Sequence, residues 1–523
     1  MLVGEIVRRN AEFFGDSDAL VVPDGVTQSW GETEARSNQF ANALLDLGLA
    51  KGDRLAAFAS NGPEYVEFFF ACAKSGIVGA TTNIRLAPAE LASYLSYVEP
   101  SAIVVSADQA EAARRFIADV PSIKHVIGFG EDHGFELDYE AMVASGATTS
   151  PSVSVDDSDV YQLGSTSGTT GVPKGAILTH RNAIAAMMNW ITEIPITEGD
   201  TYLQCIPMFF NPGGPAQLHP VMMKGGRSII YGGFEPAAFL RAIPRFGVTH
   251  TTAVPTMIGM ALDHPECGEH DLSSIRAVVT GGSLVPRELL LRAQAVFGSG
   301  VFYPFFGMAE TYSCGMALRP ENQHPEGTDE DVRRLSSAGK PHALMQIRVV
   351  DDDGHDVPND NETPGELWLR GDSVSPSYFR MDEETASSRT DGWFMSGDIA
   401  VRDDGDYVTI VDRKKDMIIT GGINVFTRDI EEALYGHAAV AQCAVIGIPH
   451  EQWGEAIHAV VVLRDGAEAT AEELTSFAAD QLAAYKKPRS LEIVDALPVG
   501  GTGKILKREL RAMHADNAAE LVE

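Results

Sequence analysis

The apolar residues in the first half of the chain follow two alternating periods. Between residues 33 and 50 they recur at helical spacing, with Phe40, Leu44 and Leu47 on one face. Short, continuously apolar runs bounded by turn residues predict buried strands, at residues 54–59, 102–105, 126–129, 228–231, 249–254 and 277–280. Alternating strands and helices indicate parallel sheets covered by helices, which is an α/β fold.

The pattern changes from residue 338 onward. Apolar runs separated by Asp- and Gly-rich turns predict antiparallel strands at 347–350, 365–370 and 407–411. After Asp412 a smaller α+β domain is predicted, with helices at 428–435 and 471–484 and strands at 442–447 and 456–463. A charged run beginning at Arg413 separates two apolar strands, so we place the boundary there and predict domains 1–412 and 413–523.

Composition and charge narrow the class of ligand. A chain of 523 residues is too long for one compact core, and 44% hydrophobic with 22% charged residues is typical of a globular protein. A net charge of −33 argues against broad binding to nucleic acids or anionic membranes. A polyanionic ligand would therefore need local basic clusters, for which the candidates are Lys174, residues 413–415, residues 486–489, and Lys504 with residues 507–508.

The cysteines and the N-terminal residues bear on location. The five cysteines are scattered and form no C-x-x-C pair, which suits reduced thiols in the cytoplasm and gives no cysteine metal site. Residues 1–16 lack the apolar core of a signal peptide, and the apolar run at 65–80 is interrupted by Glu67 and Lys74. We expect a cytoplasmic protein without a membrane span, either a monomer or a homodimer.

Residues 163–175 carry the strongest local signal. This loop contains four glycines, five hydroxyl residues and Lys174, so its N–H groups, hydroxyls and ammonium group could surround phosphate oxygens. It is not a Walker A loop, because Lys174 is flanked by Pro173 and Gly175. The composition alone is equally compatible with a surface loop.

Further segments follow in a fixed order. They are Phe306-Gly307-Met308-Ala309-Glu310, residues 392–398 ending in Asp398, Asp412-Arg413-Lys414-Lys415-Asp416, residues 421–425, and Gly501-Thr502-Gly503-Lys504. Together with the loop, this ordered set resembles the adenylate-forming superfamily, which includes acyl-CoA synthetases, adenylation domains of nonribosomal peptide synthetases, and firefly luciferase. The resemblance covers nearly the whole chain.

The resemblance implies both fold and activity. The fold would be a large N-terminal domain of two sheet–helix subdomains plus a small β-barrel-like subdomain, followed by a small, mobile α+β C-terminal domain. The activity would be that of an acid–thiol ligase: ATP and Mg²⁺ activate a carboxylic acid to an acyl adenylate with release of pyrophosphate, and CoA then takes the acyl group. A stand-alone adenylation enzyme loading a separate carrier protein is the alternative, and a non-enzymatic nucleotide sensor is a third possibility.

The resemblance also assigns residue roles for ATP. The departing phosphates would lie in the loop formed by Thr166, Ser167, Gly168, Thr169, Thr170, Gly171 and the catalytic Lys174. Glu310 would hold Mg²⁺, which takes few protein ligands and keeps several waters. Adenine and ribose would contact Phe306, Gly307, Gly281, Gly282, Ser283, Asp398 and Arg413.

The remaining roles concern transfer and the acid. Lys504 resembles the adenylation lysine, Lys415 the hinge, and Gly421-Gly422 the segment that admits the thiol. The acyl pocket is expected at Phe209, Phe210, Asn211, Gly307 and Met308. Phe210 occupies a place where many relatives carry His, and no acidic partner for an ammonium group is evident in these segments, so we expect an apolar or aromatic acid.

Four positions depart from the pattern common in the superfamily. Ala309, Ser396, Thr427 and Asp429 replace the more usual Thr, Thr, Pro and Glu. The hydroxyl missing at Ala309 would cost about 1–3 kcal/mol if no other group replaced it.

Overall fold

The computed structural model describes residues 1–165, 174–210, 214–499 and 505–514. Its contacts divide the chain into two units, the first comprising Met1–Ile347 and Leu369–Phe394 and the second comprising Arg348–Trp368 and Met395–Glu523. The chain passes between units inside three strands, so the predicted boundary at residues 412 and 413 stays a prediction. Strands and helices are numbered below in chain order.

The first unit contains a nine-stranded sheet, ordered β16-β15-β14-β13-β12-β10-β11-β1-β2. Its central pairs from β1 to β14 are parallel, while β2, β15 and β16 join antiparallel at the edges. The strands are β1 (Asp18–Val21), β2 (Thr27–Ser29), β10 (Thr201–Gln204), β11 (Arg227–Ile230), β12 (His250–Thr252), β13 (Ala277–Gly281), β14 (Phe302–Gly307), β15 (Gly315–Ala317) and β16 (Lys340–Pro341).

A seven-stranded sheet, ordered β7-β6-β5-β3-β4-β8-β9, completes the layers of the first unit. Among the described residues of this sheet, every strand pair is parallel except β8 with β9, which is antiparallel. The strands are β3 (Arg54–Phe58), β4 (Val78–Thr81), β5 (Ala102–Ser106), β6 (His125–Phe129), β7 (Leu137–Asp138), β8 (Val160–Ser165) and β9 (Gly175–Thr179).

Helices cover these sheets. They are α1 (Glu5–Phe14), α2 (Trp30–Asp46), α3 (Pro63–Ser75), α4 (Pro88–Val98), α5 (Ala110–Arg114), α6 (Tyr139–Ser145), α7 (His180–Glu193), α8 (Pro215–Met223), α9 (Pro236–Phe246), α10 (Pro255–Asp263), α11 (Arg287–Phe297), α12 (Asp329–Arg334) and α13 (Asp382–Ser387). The apolar helix α3 is buried almost throughout, and Phe68, Phe69 and Phe70 belong to the main core. No helix in the described part of the chain has both the length and the apolarity needed to cross a bilayer.

A third sheet is ordered β17-β18-β20-β19, with β21 beside β20. Its strands are β17 (Gln346–Val350), β18 (Gly365–Arg370), β19 (Arg389–Thr390), β20 (Trp393–Arg402) and β21 (Val408–Arg413). The antiparallel pair of β20 and β21 lies in the second unit and aligns Asp398 with Arg413.

The rest of the second unit is a small α+β layer. A sheet ordered β23-β22-β25-β24, with β26 parallel to β25, carries three helices. The elements are β22 (Ile418–Thr420), β23 (Ile423–Val425), β24 (Val440–His450), β25 (Gly454–Leu463), β26 (Ser490–Ile493), α14 (Thr427–Tyr435), α15 (Ala471–Ala479) and α16 (Lys507–His514). The predicted fold class is thus confirmed.

Three predicted elements are shorter than expected: the helix predicted at 471–484 ends at Ala479, and two others end early for local reasons. The helix predicted to residue 50 ends at Asp46, and Gly48 follows with a φ of 100°, in the left-handed region. The strand predicted over 249–254 covers only His250–Thr252, because Pro255 begins α10 at once and restricts the residue before it.

Candidate functional site

The glycine-rich loop connects two antiparallel strands of the first unit. Its flanks, Ser165 and Gly175, are paired at the loop end of the β8–β9 hairpin. The predicted phosphate-binding residues Thr166, Ser167, Gly168, Thr169, Thr170 and Gly171 lie outside the described residues. Lys174 is described, and its Nζ lies 5.1 Å from the centre of the Tyr378 ring. A tyrosine face at this distance attracts an ammonium group.

Tyr378 is held against this hairpin by backbone pairing. The amide of Ile177 donates to the carbonyl of Ser377 at 2.9 Å, and the amide of Phe379 donates to the carbonyl of Gly175 at 2.8 Å. The Tyr378 hydroxyl donates to Oε1 of Glu310 at 2.7 Å. One tyrosine therefore contacts both Lys174, predicted to bind the phosphates of ATP, and Glu310, predicted to bind Mg²⁺.

Glu310 lies on a short 3-10 turn, Ala309–Thr311, just after β14. The backbone carbonyl of Glu310 accepts a hydrogen bond from the Ser375 amide at 2.6 Å, which fixes the turn. The Thr311 hydroxyl accepts from the Met308 amide at 3.1 Å. Ala309 stands where many relatives have a threonine. In this chain the hydroxyl that hydrogen-bonds the turn comes from Thr311, two residues later.

The residues predicted to contact adenine lie at the carboxyl ends of two neighbouring strands. Strands β13 and β14 are parallel, with Gly281 opposite Phe305, so Gly282, Ser283 and Phe306 follow at their carboxyl ends. Gly281 approaches β14 so closely that an added Cβ would lie 2.8 Å from the Phe305 carbonyl oxygen. At Gly307 it would lie 2.3 Å from the backbone carbon of Ser313. Both glycines are therefore required by backbone packing.

Arg389 is a further basic residue beside Tyr378. Neither Arg389 nor Tyr378 was predicted from the sequence. Its Nη2 donates to the Ser375 carbonyl at 2.8 Å, and its guanidinium carbon lies 5.4 Å from the Tyr378 ring centre. Burial lowers the pKa of Arg389, while Tyr378 and Glu310 act in the opposite direction. Neither residue lies in a recognisable motif, so no sequence signal pointed to them.

The residues predicted to form the acyl pocket are only partly described. The rings of Phe209 and Phe210 are 4.5 Å apart, Phe209 is buried in the main core, and Phe210 is half-buried. The Phe209 carbonyl accepts from the Thr81 hydroxyl at 2.8 Å. Met308 is half-buried, and Asn211 lies outside the described residues. The role of these residues in an acyl pocket stays a prediction.

In the second unit, Asp398 and Arg413 form a cross-strand ion pair. Arg413 Nε lies 2.7 Å from Asp398 Oδ1, and the Asp398 side chain is 3% exposed whereas that of Arg413 is 44% exposed. The Ser396 hydroxyl accepts from the Asp398 amide at 3.0 Å and donates to the Leu367 carbonyl at 2.6 Å. Serine at this position thus helps to fix the part of β20 that carries the aspartate.

The predicted hinge and thiol segments follow in the same unit. Lys415 lies in a turn between β21 and β22, and burial lowers its pKa. Gly421 and Gly422 have φ angles of 58° and 80° and form the two-residue turn between β22 and β23, a conformation that favours glycine. Lys504 lies outside the described residues.

Thr427 has a structural partner that the sequence did not reveal. Its amide donates to Oδ2 of Asp412 at 2.5 Å, and its hydroxyl lies 3.0 Å from the same oxygen. Lys507 Nζ donates to the Thr427 hydroxyl at 2.7 Å. Asp412 immediately precedes the Arg413–Lys415 run, so Thr427 connects α14 to the strand that leads into the predicted hinge.

Comparison with sequence families matches most of the chain. The profile described as AMP-binding enzyme matches residues 7–379. The profile described as AMP-binding enzyme C-terminal domain matches residues 429–504. The two matches leave residues 380–428 between them.

Individual proteins are similar over almost their full lengths. A feruloyl-CoA synthase from an Amycolatopsis species is 35% identical over 93% of this chain and 94% of its own. A 3-methylmercaptopropionyl-CoA ligase from Ruegeria lacuscaerulensis is 31% identical over 98% of this chain and 97% of its own. The crystal structure of the anthranilate CoA ligase AuaEII with anthranoyl-AMP has a TM-score of 0.87 and 26% identity, covering 99% of this chain and 98% of that one.

Proposed function

The chain belongs to the AMP-binding enzyme family and is an AMP-forming acid–CoA ligase that uses ATP, Mg²⁺ and CoA, and we propose that its acid substrate is apolar or aromatic. We further propose that Lys174, Tyr378, Glu310 and Arg389 form the wall against which the polyphosphate of ATP is bound. The observation that carries this second proposal is the single tyrosine that contacts both Lys174 and Glu310.

The chemistry explains why a cation and a carboxylate are needed together. A substrate carboxylate oxygen forms a bond to the α-phosphorus of ATP, and the bond from that phosphorus to the bridging oxygen of pyrophosphate breaks. Both reactants are anions, so basic groups must offset their repulsion. Lys174 and Arg389 supply that charge in the first unit, and the loop amides would add hydrogen-bond donors.

The donor set at Glu310 fits Mg²⁺. Tyr378 donates to one carboxylate oxygen, and a carboxylate still has lone pairs to offer a hard cation. When bound there with phosphate oxygens and water, Mg²⁺ would stabilise the negative charge of the leaving pyrophosphate. Tyr378 is a positioning residue in this proposal, because it orients the carboxylate.

In the second step the CoA thiol gives its proton to solvent and its sulfur bonds to the acyl carbonyl carbon. The bond from that carbon to the phosphate oxygen breaks, and AMP leaves with the electron pair. We propose the predicted roles for the residues of the second unit: Asp398 and Arg413 for the ribose, Lys504 for the first step, Lys415 as the hinge, and Gly421-Gly422 for access of the thiol. The buried Asp398 carboxylate, oriented by Ser396, supports the ribose role, because a carboxylate can accept from two hydroxyls.

The proposal for the acid rests on the aromatic pair and on the relatives. Phe210, which is half-buried beside Phe209, provides an apolar surface. Two of the similar proteins act, by their names, on ferulate and anthranilate, which are aromatic acids. An α-amino acid would need an acidic partner for its ammonium group, and the segments assigned to the pocket provide none in the sequence.

A pyrophosphate-release screen tests the substrate class. Purified enzyme, ATP and Mg²⁺ are mixed with aryl propenoic, benzoic, short-chain, medium-chain and α-amino acids, with and without CoA, and thioesters are identified by mass spectrometry. The highest kcat/KM is expected for an aromatic or apolar acid. Preferential turnover of an α-amino acid would contradict the proposal, and release of pyrophosphate without a CoA product would favour a separate carrier protein as the acceptor.

A reducing compartment, the cytoplasm, is also part of the proposal. All five cysteines are free, and four of them are buried. Fractionation of cells and light scattering of the purified protein would establish the compartment and distinguish a monomer from a homodimer.

A further inference from the structure

We propose that His458, Glu492 and His514 form a binding site for one divalent transition-metal ion, such as Zn²⁺, in the second unit. His458 is on β25, Glu492 is on the neighbouring strand β26, and His514 is the last residue of α16. The site is independent of the residues assigned to ATP, the acid and CoA.

The three side chains converge. One ligand atom from each lies within 4.8 Å of the ligand atoms of the other two. The rings of His458 and His514 have centres 4.6 Å apart, and His514 Nε2 lies 2.8 Å from Glu492 Oε2. Strands β25 and β26 pair with His458 opposite Ser490, so Glu492, two residues further, shares a face with Ser490.

The other nitrogen of each histidine already has a partner. His514 Nδ1 lies 2.7 Å from the Leu510 carbonyl, which can only accept, so this nitrogen carries a proton and Nε2 is the atom presented to Glu492. His458 Nδ1 lies 2.7 Å from the Ser490 hydroxyl. Fixing the remote nitrogen to a carbonyl or hydroxyl is the usual way in which proteins orient a metal-binding imidazole.

The Nε2 atom of His458 also points to a bound ligand, independently of the convergence of the three side chains. His458 is fully buried, and its Nε2 makes no hydrogen bond within the described part of the chain. A buried nitrogen without a partner is unfavourable, and a bound ion would give it one.

The donor set selects the class of metal. Two imidazoles and one carboxylate are ligands of zinc and related ions, and three protein ligands leave room for water. Mg²⁺ prefers oxygen ligands, so the Mg²⁺ of the ligase reaction should not compete. Metal–ligand bonds of roughly 2.0–2.2 Å place neighbouring ligands roughly 3.3 Å apart, so the contact of Glu492 with His514 would open slightly on binding. The Glu492 side chain is 44% exposed and has room to move.

A bound ion would connect α16 to the sheet beneath it. Leu510 of α16 already packs in a cluster with Ile446 and Val460 of β24 and β25. His514 lies one helical turn beyond Leu510, so the ion would fasten the end of the helix to β25 and β26. Because α16 begins three residues after Lys504, the ion would stabilise the helix that follows the adenylation lysine.

Metal titration of untagged, chelator-treated protein tests the proposal. Isothermal titration with Zn²⁺ in millimolar Mg²⁺ should show one ion bound per chain, with a rise in melting temperature. Glu492→Gln and His514→Gln should each weaken binding at least about tenfold, the smallest loss typical of metal-site partners. Glu492 is the more informative position, because its side chain is 44% exposed and its substitution should leave the packing of the unit intact.

His437→Gln is the matched control. His437 Nε2 lies 3.8 Å from Glu473 Oε1 in the same unit, which is a histidine–carboxylate pair outside the proposed site. This variant should bind Zn²⁺ as the wild type does. Absence of stoichiometric binding in the wild type would overturn the proposal, as would unchanged binding in both Glu492→Gln and His514→Gln, or an equal loss in His437→Gln.

Discussion

The two units hold their charged residues in different ways. In the first unit, Tyr378 donates to Glu310, a partner 68 residues away, and stacks near Lys174 from a still more distant part of the chain. In the second unit, Asp398 pairs with Arg413 on the adjacent strand, and Asp412 pairs with Thr427 only 15 residues away. The Glu310 site therefore depends on long-range packing, whereas the Asp398–Arg413 pair depends on two adjacent strands.

We expect the long-range contacts to hold the Glu310 turn in place and the turn at Lys415 to permit movement. Long-range contacts bury the Glu310 turn between the β8–β9 hairpin and the Ser375–Phe379 segment, which suits a site that must stay rigid. The amides of Asp416 and Met417 donate to the Arg413 carbonyl, and Asp416 forms an ion pair with Arg511. By contrast, no described residue accepts a hydrogen bond from the Lys415 amide. Lys415 lies inside the second unit, and its role as a hinge stays a prediction.

The largest effect is expected for Lys504→Ala. This substitution should lower the rate of adenylate formation by roughly 10²–10³-fold, because the role proposed for Lys504 is to offset the charge where the carboxylate meets the α-phosphate. Thioester formation from a supplied acyl adenylate should be unaffected. Single-turnover assays of the two half-reactions measure both quantities, and an equal loss in both would contradict the assigned role.

Lys415→Pro should separate movement from positioning. Proline fixes φ at about −65°, so the turn can no longer adopt two conformations. Acyl adenylate should accumulate when ATP, Mg²⁺, acid and CoA are all present, whereas the wild type should show little of it. Quenched-flow measurement of bound adenylate and thioester tests this.

Lys415→Ala is the control, since it removes the charge but leaves φ free. It should keep the wild-type ratio of adenylate to thioester. Equal slowing of both steps in Lys415→Pro, without build-up of adenylate, would leave the hinge role unsupported.

The same contrast explains how far the sequence could predict the molecule. The alternation of strands and helices and the smaller α+β arrangement after Asp412 follow from local patterns, and both are found. Gly421-Gly422 was predicted only as the segment that admits the thiol, and the structure shows that the two glycines form a turn. Tyr378 and Arg389 could not be found, because their importance arises only when a distant segment pairs with β9. Thr427 was recognisable as atypical, yet its bond to Asp412 depends on how β21 and α14 pack.

Tyr378→Phe should lower kcat about tenfold and raise the Mg²⁺ concentration required for half-maximal rate. The reason is that one charge-assisted hydrogen bond to Glu310 is lost, while the ring near Lys174 remains. Steady-state kinetics at varied Mg²⁺ provide the measurement. Tyr97→Phe is the matched control, because the Tyr97 hydroxyl bonds the carbonyl of the adjacent Phe379; a similar change in its Mg²⁺ requirement would make the role of Tyr378 merely structural.

The smallest effect is expected for Thr427→Val, which tests the local type of contact. Valine keeps the volume but removes the hydroxyl that lies 3.0 Å from Asp412 and accepts from Lys507. Asp412 then loses one of its stabilising partners while it remains buried, so the free energy of unfolding of the second unit should fall by about 1–3 kcal/mol. Urea unfolding followed by hydrogen exchange in α14 measures the loss.

The pH dependence makes this last prediction specific. Burial raises the pKa of Asp412 above its ordinary value, even though Lys507 and the Thr427 hydrogen bonds lower it. A carboxyl whose pKa is raised in the folded state binds protons more readily there than in the unfolded chain, so its unfavourable contribution is present at neutral pH and declines as the pH falls. Removing the Thr427 hydroxyl raises that pKa further, and the deficit of Thr427→Val should therefore shrink as the pH falls from 7 toward the raised pKa. Thr420→Val, at another buried threonine of the same unit, serves as the control and should show a deficit that does not change with pH. A deficit of Thr427→Val that is constant over this range would show that the hydroxyl acts through packing and not through the Asp412 charge.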